Sequence, residues 1–156
     1  MTKQLQAEIK QKVPFTSVEE EVYLNLLRTG DALSQNVESL LRASGLSGTQ
    51  YNVLRILRGA GPGGLTCGET SGRMVTHDPD ITRLLDRLEK RKLITRSRDA
   101  RDRRVVTARI TKPGLRLLGE LDKPLVELHR KLFRHMTQRD LKKLSSLLEK
   151  VRTRET

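Results

Sequence analysis

The sequence predicts a mainly α-helical protein with one β-hairpin. Apolar residues recur at three- and four-residue steps through most of the 156 residues, which is the period of helices with one buried face. Two stretches, 93–96 and 105–110, are instead β-branched runs of the kind that forms strands. Capping residues, glycines and prolines divide the helical stretches and set their order.

A long helix is expected after a polar N-terminal arm at 1–16. Ser17 and Glu20 have the spacing of a capping box, in which the hydroxyl and the carboxylate bind free backbone N–H groups. One apolar stripe then continues to Gly45, where the glycine ends the helix.

Three shorter helices are expected next. One opens at Ser47 and is broken by a glycine-rich turn at 59–64. The second, at 67–74, is poor by propensity because glycine and hydroxyl residues dominate its centre. An Asp-Pro pair at 78–79 begins the third, which continues through Arg91, because aspartate caps helices and proline fits their first turn.

The helix from 78 to 91 is amphipathic, with a cationic outer face. At 100° per residue its apolar residues lie on one side and its charged residues on the other. The two faces are Ile81, Leu84, Leu85 and Leu88 inside, and Arg83, Asp86, Arg87 and Lys90 outside. The alternative is an ordinary solvated face held by ion pairs within the helix, for example between Asp86 and Lys90.

A charged hairpin and two amphipathic helices complete the chain. The two β-branched runs are joined by an arginine-rich tip at 97–104. A helix then starts at Thr111 and passes Pro124, where we expect a kink. Thr137 caps the last helix, whose leucines have the spacing of a helix that packs along another helix.

This order of elements predicts a winged helix-turn-helix at 46–111. It is flanked by N- and C-terminal dimerisation helices at 17–45 and 112–154. A helix fits the DNA major groove, where arginine and threonine can bind base edges. Guanidinium groups on a hairpin tip can enter the negative minor groove, so each part of the fold has a use on DNA.

The composition favours a polyanionic partner. The formal net charge is +12 with a pI near 10.4, and residues 83–116 hold 13 lysines and arginines against four acids. Aromatic residues make up only 3%, too few for stacking platforms on single strands, so we expect double-stranded DNA. The single cysteine, and the lack of a secretion signal or membrane-spanning stretch, predict a cytoplasmic protein without a membrane partner.

Neither a catalytic constellation nor a metal-ligand spacing is recognisable in the sequence. A Ser/His/Asp arrangement and a phosphate-binding glycine loop are missing, and the three histidines are not spaced as ligands. We therefore expect no enzyme activity, no cofactor and no metal. Cys67 is interpreted as a bystander, with an oxidant sensor as the alternative. His77 has two open roles, as a phosphate contact or as part of a helix cap.

Three segments resemble the MarR family of bacterial transcriptional regulators. They are DITRLLDRLEKRKL at 80–93, DARDRR at 99–104 and ITKPG at 110–114, and the resemblance extends over about residues 18–152. It implies a homodimer in which the terminal helices of both chains interlock. Each subunit would present its winged helix-turn-helix to one half of an inverted-repeat operator. The resemblance also implies a repressor that responds to a small organic effector, whose identity the sequence does not give.

The expected DNA contacts come from the recognition helix, here 78–91, and from the hairpin tip, which forms the wing. The resemblance implies that Asp102 orients Arg104 for the minor groove, with Arg101 and Arg103 beside it. The candidate DNA-binding residues are Thr76, His77, Asp80, Thr82, Arg83, Arg87, Arg98, Arg101, Asp102, Arg103 and Arg104.

Two other functions could use the same basic surface. A nonspecific architectural protein would coat DNA without reading its bases. A protein-interaction module would instead dock an acidic partner, and the wing arginines alone could be a solubilising tip. The ratio of specific to nonspecific DNA affinity separates the regulator from the coating protein.

Overall fold

The chain forms a helical fold with one small sheet. A computed structural model describes residues 3–77, 80–100 and 102–153. The helices in these ranges are α1 (Lys3–Glu8), α2 (Val18–Leu41), α3 (Gly48–Ala60), α4 (Cys67–Gly72), α5 (Ile81–Lys90), α6 (Lys112–Leu132) and α7 (Gln138–Arg152). The strands are β1 (Leu65–Thr66), β2 (Ile94–Arg98) and β3 (Val106–Ile110). Within the described residues, none of the helices combines the length and apolar character that a bilayer crossing requires.

The chain divides into two compact units, one ending at Gly48 and the other starting at Thr49. The first unit contains a helix that the sequence did not predict. Helix α1 lies within the supposed polar arm, and the arm also buries Leu5 and Phe15, which are 2% and 6% exposed. A helix of six residues is too short for apolar periodicity to reveal.

Helix α2 begins with a cap that differs from the predicted one by one residue. The Ser17 hydroxyl accepts a hydrogen bond from the Glu20 backbone N–H at 3.1 Å, as expected. The Glu20 carboxylate, however, binds the backbone N–H and hydroxyl of Thr16, at 2.7 and 2.6 Å. The helix then runs unbroken to Leu41, and a short 3₁₀ turn leads to Gly45, which has a φ of 65°.

The sheet confirms the predicted hairpin and adds a strand to it. Strands β2 and β3 are antiparallel, in a register that runs from Ile94 opposite Ile110 to Arg98 opposite Val106. Strand β1 pairs with the other edge of β3, so the order is β1-β3-β2. The predicted two-stranded wing is therefore part of a three-stranded sheet.

Leucines from three helices form the core of the second unit. The helices contribute Val53, Leu54 and Leu57 of α3, Leu84, Leu85 and Leu88 of α5, and Leu118, Leu121 and Leu125 of α6. Leu65, Leu93, Ile94 and Ala108, in or next to the strands, are buried as well. Leu118 of α6 is fully buried, whereas its neighbour Leu117 is only half-buried. Helix α6 continues through Pro124 to Leu132 without a break in its helical assignment.

Helix α4 is stabilised by a capping box that compensates for its weak propensity. The Thr66 hydroxyl accepts from the Glu69 backbone N–H, and the Glu69 carboxylate accepts from the Thr66 backbone N–H. Thr70 is fully buried, and its hydroxyl donates to the Thr66 carbonyl at 2.8 Å. Thr70 thus fills a core position with its hydroxyl hydrogen-bonded.

Gly114, at the start of α6, lies against Leu93, just before β2, and Ile110, at the end of β3. A Cβ at this position would collide with the Leu93 carbonyl oxygen and come within 2.8 Å of Ile110 Cγ1. The glycine of the ITKPG motif is therefore required by close packing. At Gly119 in the same helix, a Cβ would meet nothing within 4 Å.

We expect Gly114→Ala to destabilise the fold by about 1–3 kcal/mol, because the Leu93 backbone cannot move aside freely. Gly119→Ala is the matched control and should stabilise by about 0.5–1 kcal/mol, as alanine does in an open helical position. Urea denaturation of both variants measures the difference. Equal effects of the two substitutions would contradict the packing argument.

A bidentate ion pair joins α3 to α6. Arg58 Nη1 and Nη2 donate to the two carboxylate oxygens of Asp122, at 2.8 and 2.9 Å. The hydrogen bonds from Arg58 are the main reason why the pKa of Asp122 lies below its ordinary value of 3.8. Because the side chains are 33% and 48% exposed, solvent screens much of this interaction.

Removal of this pair should have a pH-dependent effect. A carboxylate with a lowered pKa stabilises the fold above its ordinary pKa, and this contribution is lost as the pH falls through the lowered value. Asp122→Asn should therefore cost up to about 1 kcal/mol at neutral pH, with the difference from wild type vanishing in strong acid. Urea denaturation over a pH series checks this, with Glu120→Gln as the control, and a cost that persists in acid refutes it.

Candidate nucleic-acid interface

The recognition helix α5 points its polar face away from the core. Its buried leucines fix the helix, and Thr82, Arg83 and Arg87 are exposed as the sequence predicted. The helix begins at Ile81, and its capping residue is Asp80, whose side chain accepts from the Arg83 backbone N–H at 3.2 Å. The predicted start at 78–79 lies outside the described residues.

Asp80 and Arg83 also form an ion pair on the surface. Arg83 Nε lies 3.1 Å from Asp80 Oδ2, although the Arg83 side chain remains 77% exposed. Asp80 thus caps the helix and holds an arginine in one orientation. Such an exposed pair contributes little to stability, so the guanidinium can leave it at low cost.

The loop before α5 carries the two candidates Thr76 and His77, both of which are exposed. Asn52 of α3 holds this loop, since its side-chain oxygen accepts from the Val75 backbone N–H at 2.9 Å. The contact joins α3 to the loop between α4 and α5. Nothing in the sequence spacing indicated it, because the partners are 23 residues apart.

Two aspartates shape the turn of the wing. Asp99 accepts from the backbone N–H of Asp102 at 3.1 Å, and Asp102 accepts from the backbone N–H of Arg104 at 2.9 Å. The Val105 N–H closes the turn on the Asp102 carbonyl at 3.0 Å. The contact between Asp102 and Arg104 is therefore made to the backbone N–H of Arg104.

The described arginines of the wing lie on its outside. Arg98, at the end of β2, and Arg103 and Arg104, in the turn, are all exposed. Arg101 lies outside the described residues. The wing thus presents several guanidinium groups in the same unit as the outer face of α5.

Arg96 of β2, which was not among the candidates, occupies the junction between the wing and α5. Its Nη2 lies 2.5 Å from Asp86 Oδ1 and 2.6 Å from Glu89 Oε2, and its Nε donates to Glu89 at 2.9 Å. The hydrogen bond from Arg96 holds the pKa of Glu89 below its ordinary value. Asp86 is therefore paired with the wing and not with Lys90, the partner considered from the sequence.

A cleft of about 420 Å³ lies between α4, α5 and the sheet. Its lining includes Thr66, Cys67, Thr82, Leu85, Arg96 and Arg104. The Cys67 sulfur is 4.0 Å from the Thr82 hydroxyl, so the thiol faces the recognition helix. Across the described ranges, histidine, cysteine and acidic side chains form no cluster of three that could hold a metal.

Known proteins resemble this chain in sequence and in structure. A sequence profile of the MarR family matches residues 46–106. The crystal structure of a MarR transcription factor from Planctomyces limnophilus is 38% identical in sequence, with a TM-score of 0.69, and the match covers 87% of this chain and 98% of that one.

Two further relatives connect the fold with DNA. The HTH-type transcriptional repressor IacR of Pseudomonas putida is 28% identical over 81% of this chain and 74% of its own length. Sco3205 of Streptomyces coelicolor, a MarR family regulator solved in complex with DNA, is 21% identical with a TM-score of 0.79, covering 90% of both chains. Together with the helix-turn-helix and wing described above, these matches identify the chain as a member of the MarR family of DNA-binding transcriptional regulators.

Proposed function

We propose that this protein is a dimeric, sequence-specific repressor that binds an inverted-repeat operator and releases it when a small organic effector binds. The observation that carries the proposal is the position of α5 and the wing in one compact unit. The outer face of α5 offers Thr82, Arg83 and Arg87, while the wing offers guanidinium groups. The helix would read the major groove and the wing the adjacent minor groove.

The two halves of this surface have different tasks. Arg83 and Arg87 are long enough for bidentate bonds to guanine, which carry sequence information. Arg98, Arg103 and Arg104 would follow the phosphates or the narrow minor groove, where charge dominates. Both tasks need exposed guanidinium groups, and all five side chains are exposed.

Repression and ligand response are the finer parts of the proposal. IacR is named as a repressor, which favours the same sign of regulation here. The 420 Å³ cleft falls within the range of small-molecule pockets and is bordered by Thr82 and Arg104, two candidate DNA contacts. A molecule bound in this cleft would contact Thr82 and Arg104 and so oppose their binding to DNA. A DNA-binding titration with and without small organic molecules tests this, since an effector should lower the affinity for DNA.

The dimer is supported by apolar side chains that the single chain leaves exposed. No described residue of α7 is buried, and Leu147 and Val151 are 50% and 61% exposed. In α2, Tyr23 and Leu27 are similarly exposed. Contiguous exposed apolar faces on helices are typical of subunit interfaces.

Selection from a randomised duplex library should enrich an inverted repeat with half-sites about one helical turn apart. On the selected sequence, Arg83→Ala and Arg87→Ala should each cost about 1–3 kcal/mol of binding free energy. Arg130→Ala, at the end of α6, is the control for the loss of one charge. Fluorescence anisotropy on selected and scrambled duplexes measures all three.

The comparison with scrambled DNA decides between the proposal and its rivals. If Arg83 and Arg87 bind base edges, their replacement by alanine should weaken binding to the selected duplex far more than binding to the scrambled duplex. Equal losses on both, with no motif enriched, would establish the architectural alternative. Unchanged DNA affinity would favour a surface that docks an acidic protein.

Sedimentation equilibrium should give a mass of twice 17.8 kDa for the wild-type protein. Leu144 lies on the same face of α7 as Leu147 and Val151. Leu144→Asp should shift the protein towards monomer, because a buried unpaired carboxylate on this face opposes association. Ser146→Asp adds the same charge on the opposite side of α7 and should leave the dimer intact. Dissociation of both variants, or of neither, would contradict the assignment of this helix face.

A further inference from the structure

We propose that Arg96 is a positioning residue, which sets the rotation of α5 relative to the wing through Glu89 and Asp86 and thereby gives the DNA interface its specificity. This inference rests on the proposed function. The Arg96 side chain is only 23% exposed, and its guanidinium lies against two carboxylates of α5. We call this group of three residues the Arg96 clamp.

The clamp is made of directional contacts from both the main chain and the side chain of Arg96. Besides the side-chain bonds, the Arg96 backbone N–H donates to Glu89 Oε1 at 3.0 Å, so one carboxylate binds both the main chain and the guanidinium. Arginine provides a planar fork of donors, which fixes geometry in a way that the point charge of lysine does not. The clamp therefore fixes where α5 lies along and around the strand.

The leucine seam alone cannot provide this restraint. Leu84, Leu85 and Leu88 hold α5 to the core, but hydrophobic contacts have no preferred direction. A helix can roll by small angles while its leucines stay buried. At a radius of about 6 Å, a roll of roughly 20° moves a side chain on the outer face by about 2 Å.

Such a displacement is large compared with the tolerance of a hydrogen bond. A bond to a base edge needs a donor and acceptor within about 2.7–3.2 Å. Arg83 lies one turn before Asp86, so the roll that Asp86 resists is the one that would move Arg83. Contacts to phosphate are more tolerant, because they depend on charge and less on geometry.

The wing side of the clamp is itself anchored. Strand β2 is paired along its whole length with β3. Arg109 of β3 donates to the Ser97 hydroxyl at 2.7 Å and to the Pro62 carbonyl at 3.1 Å. Arg96 therefore joins α5 to a braced sheet, and the helix and wing keep one relative orientation.

Arg96→Lys is the informative variant, because it keeps the charge and removes the fork. It is combined with Glu89→Gln in a double-mutant cycle, with Arg130→Lys as the control. The titration uses the full-length protein, a duplex selected by the wild type, and a scrambled duplex at several salt concentrations. Thermal unfolding of each variant is measured in parallel.

We expect Arg96→Lys to weaken binding to the selected duplex by about tenfold, with unchanged affinity and salt dependence on scrambled DNA. In the Glu89→Gln background, the lysine substitution should have little further effect. A full, independent loss in that background would overturn the proposal, since Arg96 would then act on DNA directly. Reduced thermal stability with unchanged specificity would also overturn it, as a purely structural role.

The test separates this inference from the proposed function. If the wild-type protein selects no sequence, the proposed function fails and the positioning role fails with it. If the wild type discriminates and the cycle is additive, only the positioning role is wrong.

Discussion

The placement of the exposed cationic side chains of α5 depends on the burial of the opposite face of this helix. Leu84, Leu85 and Leu88 are at most 5% exposed, and each contributes roughly 1.5–3 kcal/mol when it leaves water. The burial of these leucines offsets the electrostatic repulsion among the cationic side chains on the outer face of α5. Since the leucines and arginines share a helix only ten residues long, burial of one set fixes the other outside.

Polar contacts then supply the geometry that the apolar seam leaves open. Asn52 holds the loop before α5, the Thr66–Glu69 capping box holds α4, and Arg96 holds the wing. Each contact joins elements that the core alone would leave free to shift. Leucine burial thus provides most of the stability of the fold. Hydrogen bonds set the orientation of α4, α5 and the wing relative to one another.

The division between predictable and unpredictable features follows the range of the interactions. The faces of α5, the hairpin and the Thr137 cap could be predicted, because each depends on residues within one or two turns. The Thr66 capping box was equally local, but weak propensity obscured it. The Arg96 clamp could not be predicted from the sequence, because several lysines and arginines near Asp86 and Glu89 could equally have paired with them. Only the folded hairpin brings Arg96 next to both carboxylates.

Acidic residues on the proposed DNA-binding surface require an explanation, and this surface contains several between 80 and 104. Asp80 caps α5, Asp86 and Glu89 bind Arg96, and Asp99 and Asp102 accept backbone N–H groups in the wing. Asp80, Asp86 and Glu89 lie against guanidinium groups, whereas Asp99 and Asp102 serve the backbone of the turn. The more numerous arginines and lysines keep the surface cationic. The acids therefore shape the surface, and the arginines give it its charge.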